Sequence, residues 1–131
     1  MDGGNVMHGL KKSDLGFEGF GEAYFSSIEY GSIKAWKMHK KMTLNLLVPK
    51  GFVRFIIYDD RKGSPSYKKF DEVLISRKSP LRLTVPPLLW FGFQGLSNTN
   101  SLILNIANIE HDPNEVERKN IDEIKYIWEK I

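Results

Sequence analysis

The chain has no cysteine. That excludes disulfides, thiolate catalysis and cysteine-based zinc sites, and it points to a reducing compartment. No apolar run approaches the ~18 residues that a membrane span requires. The opening segment, MDGGNVMHGLKK, is polar and glycine-rich and lacks the apolar stretch of a signal peptide. An excess of one charge is missing too: 19 Lys and Arg stand against 16 Asp and Glu, a net charge of +3. That balance is too mild to argue for nucleic acid. The longest basic cluster, Lys37 to Lys41, is short and has apolar residues on both sides. These absences predict a cytoplasmic protein with neither a nucleic-acid nor a membrane partner.

What is present is ordinary globular composition, 131 residues with 41% hydrophobic and 27% charged, a natural size for one domain. Residues 1–20 carry five glycines with Gly21 directly after them, and they read as an irregular arm. Residues 21–131 read as a single domain. From Glu22 onward come short β-branched and aromatic runs: EAYFSSIEY, TLNLLVP, FVRFIIYDD, KKFDEVLIS, LRLTVP, LLWFGF and SLILNIANI. Turn clusters separate them, among them Pro49-Lys50-Gly51, Asp59 to Pro65 and Pro86-Pro87. That rhythm predicts an all-β antiparallel sandwich or barrel. No helical stretch of ten residues fits between the strands, which argues against a parallel α/β sheet. The tail differs: Ile121, Ile124, Trp128 and Ile131 recur at helical spacing, and Asn120 with Glu123 reads as a capping pair. This predicts a short C-terminal helix of about three turns, docked on the sheet through Ile124 and Trp128.

Four stretches in order carry a resemblance. GEAYFSSIEYGSIKAWKMHKK, FIIYDDRKGSPSY, VPPLLWFGFQGLSN and LNIANIEHDPNE are similar to the successive motifs of the dTDP-4-dehydrorhamnose 3,5-epimerase-like family of cupins. The likeness runs from about Gly21 to Trp128. It implies a double-sheet jelly roll, a homodimer paired through edge strands, and a nucleotide-sugar site in the barrel mouth. It also implies chemistry next to a 4-keto group. A base removes the α-proton, the enolate is stabilised, and an acid returns a proton. In the family the base is a histidine oriented by an aspartate, and the acid is a tyrosine.

The chain departs from that set. Lys34 keeps the family's basic residue, but Lys37 stands where the base histidine belongs. Phe91 replaces a second histidine. The acid position falls at Glu110 or His111, before Asp112-Pro113, and the nearest candidates for the orienting acid are Asn120 and Asp122. A metal is not expected. The usual cupin pair would be Lys37 and His39, the third ligand would be Phe91, and one histidine cannot hold a transition metal. No cofactor is expected either.

Lys37 and His39 share a face if the segment is a strand, together with Ala35 and Lys41. Lys37 is then either a solvated residue paired with a carboxylate such as Glu22, or a group that meets a keto oxygen or phosphate or serves as the base. His39 titrates near neutrality without perturbation and is the stronger acid–base candidate. His111 completes the catalytic candidates. Strict alternation sets Lys34 on the opposite face, so it reaches the same ligand only through a bulge or a partner subunit. Glu22 and Tyr24 fall on positions where the family meets the nucleotide. Arg61, like Arg54, could meet phosphate, although a surface salt bridge is the ordinary reading of a turn arginine. Asn105 lines a pocket or bonds to a neighbour. Two functions remain open. One is a sugar-nucleotide epimerase or ketoisomerase with an altered active site, acting on a dTDP-4-keto-6-deoxyhexose-like substrate in surface polysaccharide or deoxysugar biosynthesis. The other is a non-catalytic cupin that binds a sugar nucleotide or carbohydrate, or supports a partner enzyme.

Overall fold

The computed structural model describes residues 3–128. Nine strands form: β1 (Glu22–Ile28), β2 (Ile33–His39), β3 (Leu44–Lys50), β4 (Phe52–Tyr58), β5 (Phe70–Ser76), β6 (Leu83–Val85), β7 (Trp90–Gly95), β8 (Ser101–Ala107) and β9 (Val116–Arg118). They make two antiparallel sheets, ordered β1-β8-β3-β6 and β5-β4-β7-β2-β9. This is the antiparallel sandwich the strand rhythm predicts, in the jelly-roll form that the resemblance implies. Among the described residues no helix is long and apolar enough to cross a membrane.

Alternation decides which side chains meet between the sheets. Leu44, Leu46, Val48, Ile103 and Ala107 of the first sheet face Val53, Phe55, Ile75 and Phe91 of the second. All are buried. Each large apolar side chain so buried contributes roughly 1.5–3 kcal/mol. Between β3 and β4 the chain turns at Gly51, whose φ of +96° favours glycine and where a Cβ would lie 2.2 Å from Ser101 Oγ. That same hydroxyl accepts the Phe52 N–H at 3.0 Å, so turn and strand end are fixed together.

The outer face of the five-stranded sheet holds a second core of Trp36, Ile56, Trp90 and Ile124, with Tyr58, Phe70, Tyr126 and Trp128 packed against it. Here the expectation of a three-turn helix needs correction. A single 3-10 turn, Ile121–Glu123, is what forms among the described residues, and Ile131 lies outside them. The Asn120 N–H does bond the Glu123 carboxylate, as a capping pair should. At Ile124, however, the backbone is extended, with φ −117° and ψ 114°. Ile124, Tyr126 and Trp128 face the sheet while Lys125 and Ile127 point out. The working period is two, not 3.6. A broad aromatic surface rewards that alternation, with Trp36 and Trp128 ring centroids 5.5 Å apart and Phe70 and Tyr126 5.1 Å apart. A short helix without such packing is marginal. Docking through Ile124 and Trp128 therefore holds without the helix. Replacing Ile124 with Ala should cost ~2–5 kcal/mol in urea unfolding, and a loss under ~0.5 kcal/mol would contradict a docked tail.

Candidate active site

The site begins with an irregularity in β2. Lys34 pairs with Phe93 and Ala35 with Gly92, then the register shifts and Lys37 pairs with Phe91. Phe91 and Phe93 both face the inner core, so Lys34 and Lys37 both face inward. The extra residue is Trp36. Its N–H donates to the Lys119 carbonyl and its carbonyl accepts from the Lys119 N–H, each at 3.0 Å. Its indole N–H donates to the Ile121 carbonyl at 3.1 Å. Gly92 permits this crowding, since a Cβ there would lie 2.6 Å from that of Ala35. The bulge is the device Lys34 needs to join Lys37. It also corrects one expectation: Ala35 turns out with Trp36 into the outer core instead of sharing a face with Lys37, and Lys41 lies exposed past the strand end.

His39 ends β2 and is 5% exposed. Its Nδ1 lies 2.5 Å from Glu115 Oε1. Glu115, 2% exposed, also accepts the backbone N–H groups of Lys41 and Met42 at 3.1 and 3.2 Å through Oε2. It closes the 3-10 turn Pro113–Glu115, which Asp112 caps by accepting the Asn114 N–H at 2.9 Å. Burial pushes the Glu115 carboxyl up, but hydrogen bonds from His39, Lys41 and Met42 outweigh it and hold the carboxyl below its usual range. Burial pushes the His39 imidazole down, against the pull of Glu115. The consistent state at neutral pH is a carboxylate accepting Nδ1–H from a neutral imidazole. Nε2 then carries the lone pair, and it has no hydrogen-bond partner among the described residues. The orienting acid is thus Glu115, neither Asn120 nor Asp122, which lie in the following 3-10 segment. The signal that could have found it is His111-Asp112-Pro113-Asn114-Glu115, where a capped turn sets its third residue inward.

Two adjoining cavities open beside this pair, about 270 and 740 Å³, and both are walled by Tyr24, Lys37 and Arg118. Glu22, His39 and His111 line the smaller, and Lys34, Asn105 and Phe91 the larger. Seven of the eight candidate residues therefore meet. Glu22 is placed by a bond from the His111 N–H to its Oε1, 2.9 Å long. Asn105 is buried and donates to Ser26 Oγ at 3.0 Å and to the Tyr24 carbonyl at 3.3 Å. Burial first, and Glu22 second, push the Tyr24 phenol above its ordinary value. Sequence reasoning missed Arg118 and Lys119, which β9 and its extension bring to the cavity. Nothing local in the sequence marks them, because β9 has only three residues.

Arg61 is the residue the structure does not bring. Its guanidinium bonds Asp59 at 2.9 and 3.0 Å, and Ser64 and Ser66 bond the same carboxylate. The bond from Arg61 dominates in holding the Asp59 carboxyl far below the usual range. The DDRKGSPSY stretch is a self-locked loop. Arg54 lies on the outer face, with Nη1 3.0 Å from Gln94 Oε1 and Nε 3.2 Å from Glu72 Oε2. A separate groove of about 630 Å³ beside the arm, lined in part by Met7, His8, Leu47 and Leu81, lies apart from the His39–Glu115 pair. Among the described residues no three His, Asp or Glu side chains converge as a metal-binding group would require.

Chemically, the arrangement offers an oriented neutral imidazole, a phenol, a half-buried amine and a guanidinium around two adjoining cavities. An imidazole so held can take a proton from carbon, and cations nearby can stabilise the charge that results.

No family model matches the chain. A solved dTDP sugar isomerase from Desulfovibrio desulfuricans is 36% identical, with 93% of this chain and 78% of that one aligned and a TM-score of 0.87. A dTDP-4-dehydrorhamnose 3,5-epimerase from Bacillus anthracis, solved with TDP and PPi bound, shares the fold at 22% identity and a TM-score of 0.75, over 86% of this chain and 67% of that one. Among curated proteins, a probable low-salt glycan biosynthesis epimerase of Haloferax volcanii is 29% identical over 76% of this chain, and the match spans 64% of that relative's length. A spore coat polysaccharide biosynthesis protein of Bacillus subtilis is 27% identical over 79% of this chain and 69% of its own. With more than a third of residues identical across nearly all of its length, and with the fold in common, the chain belongs to the dTDP-4-dehydrorhamnose 3,5-epimerase-like family of cupins.

Proposed function

We propose that the protein is a sugar-nucleotide epimerase or ketoisomerase that moves protons beside the keto group of a dTDP-4-keto-6-deoxyhexose, in surface polysaccharide or deoxysugar biosynthesis. The observation that carries this reading is the His39–Glu115 pair: His39 lines a cavity with Lys37, Tyr24 and Arg118, and its Nε2 has no hydrogen-bond partner among the described residues. A binding module has no use for a buried, oriented, neutral imidazole, and burying its carboxylate costs several kcal/mol unless the charge is met. His39 Nε2 takes the α-proton, and Glu115 fixes the tautomer and steadies the imidazolium that forms. Tyr24, which lines the same cavity, returns a proton on the other face in this reading. Arg118 and Lys34 suit a diphosphate, and Asn105 a sugar hydroxyl. Names of relatives support the substrate class: a dTDP sugar isomerase, and a glycan biosynthesis epimerase.

The active unit in this reading is a homodimer working in the cytoplasm. The absence of cysteine suits a reducing compartment. β1 is a sheet edge whose outward face exposes Phe25, and an open edge of this kind invites pairing. Light scattering at micromolar concentration should give twice the chain mass, and the monomer mass would refute the dimer.

Two measurements address the chemistry. In deuterated buffer, the wild type should exchange solvent deuterium into the α-position of a dTDP-4-keto-6-deoxyhexose. His39→Asn should bind the compound but exchange it on the order of 10²–10⁴-fold more slowly. Tight binding with no wild-type exchange would make the protein a binding module instead. The pH profile has a definite sign. His39 must be neutral to act as a base, and burial lowers its pKa from 6.5. Exchange should therefore hold as pH falls to 6.5 and decline only below it. A decline that begins well above pH 7 would assign the titrating base to another group.

A further inference from the structure

Proton transfer through His39 leaves Lys37 without a task. It sits two residues from His39 on the inner face of β2, so the two side chains spring from points roughly 6.5 Å apart along the strand and lean into one cavity. Its Nζ lies 5.8 Å from the Phe91 ring centroid, over an apolar floor. Its register partner on β9 is Arg118, another cation. No ion pair joins Lys37 to a carboxylate among the described residues. Glu115, the nearest buried acid, is occupied by His39 and two backbone N–H groups. Glu22 lines the same cavity but is bonded to the His111 N–H.

Burial lowers the Lys37 pKa most, and Arg118 and Lys34 lower it further, while Glu115 opposes them. A lysine whose charged form is disfavoured in this way gives up its proton more readily, and its neutral form offers a nucleophilic lone pair. Arg118 and Lys34 remain as cations for an anionic ligand.

Resting on the keto-sugar reading above, we propose that Lys37 is a covalent catalyst whose Nζ forms an imine with the keto carbon of the bound sugar. The neutral amine adds to the carbonyl carbon. A C–N bond forms, the π electrons move to oxygen, and a proton passes from nitrogen to oxygen to give a carbinolamine. The oxygen departs as water after taking a second proton, and the nitrogen lone pair closes the C=N bond of a protonated iminium. His39 Nε2 then removes the proton from the adjacent carbon. The C–H electrons form a C=C bond and neutralise the nitrogen as an enamine. Returning a proton to carbon and re-adding the lost water releases the ketone and Lys37. No oxidant or reductant is consumed. An iminium is a stronger electron sink than a ketone, and the carbonyl carbon and its neighbour are one bond apart, which suits two side chains converging from successive inward positions of one strand.

The test is reductive trapping of the full chain. Wild type is incubated with a dTDP-4-keto-6-deoxyhexose, with and without sodium cyanoborohydride, and examined by intact mass and peptide mapping, while deuterium exchange is followed in parallel. The expected result is one sugar-nucleotide adduct per chain, on the peptide bearing Lys37 and absent from Lys37→Arg. Lys37→Arg, which keeps charge and hydrogen-bond donors but cannot form an imine, should lose at least 100-fold in exchange. Lys37→Gln serves if the arginine variant does not fold. Wild type that exchanges deuterium without a Lys37 adduct, or Lys37→Arg that retains more than a tenth of the exchange, overturns the imine and leaves the keto-sugar reading standing. Wild type that neither exchanges nor is trapped overturns both.

Discussion

A buried carboxylate organises this molecule. Glu115 is shielded from water, yet it accepts hydrogen bonds from the His39 ring and from the Lys41 and Met42 backbone. An uncompensated charge in that position would cost several kcal/mol. Its three donors therefore tie the end of β2, the turn that follows it and the segment leading into β9 into one unit. The tie is reinforced by the Lys40 N–H, which donates to the Glu115 carbonyl at 2.7 Å. Structure and chemistry coincide here, since the bond that offsets the cost of burial also fixes which nitrogen of His39 is free.

The bulge at Trp36 does comparable work one turn away along β2. A regular strand would send Lys34 and Lys37 to opposite faces. By inserting Trp36, the chain keeps both lysines on the inner face and drives a large indole into the outer aromatic cluster. The backbone groups left unpaired by the insertion are taken up by Lys119. That same contact carries Arg118 and Lys119 to the cavity rim. Lys119 also lies 4.8 Å from the Trp90 ring centroid, a cation–π contact that steadies the strand. The tail from Ile124 onward then covers the indole side. Outer packing and inner charge are two faces of one distortion.

Much of this was legible in the sequence. The strand runs, their turns and the family motifs specify two antiparallel sheets, and period-two reasoning groups Lys37 with His39. The misses share a physical cause, which is that local pattern does not report the tertiary surface waiting for it. Ile121, Ile124 and Trp128 fit a helix by spacing, but Tyr126 packs on the same aromatic face and selects an extended chain. Arg61 reads as a phosphate candidate beside the ordinary salt-bridge reading, and Asp59 two residues earlier captures it. Glu115 was hidden because its partner is 76 positions away, and Arg118 because three residues of β9 carry no periodic signal.

The central claim is that His39 is a neutral, oriented base, and its tautomer can be observed directly. Nitrogen-15 NMR of the imidazole, with His39→Asn for assignment, should show Nδ1 protonated and Nε2 bare at pH 7, with titration only below pH 6.5. In Glu115→Gln that preference should weaken, because the carboxylate that selects the tautomer is gone. An imidazolium at pH 7, or a neutral ring protonated on Nε2, would contradict the account.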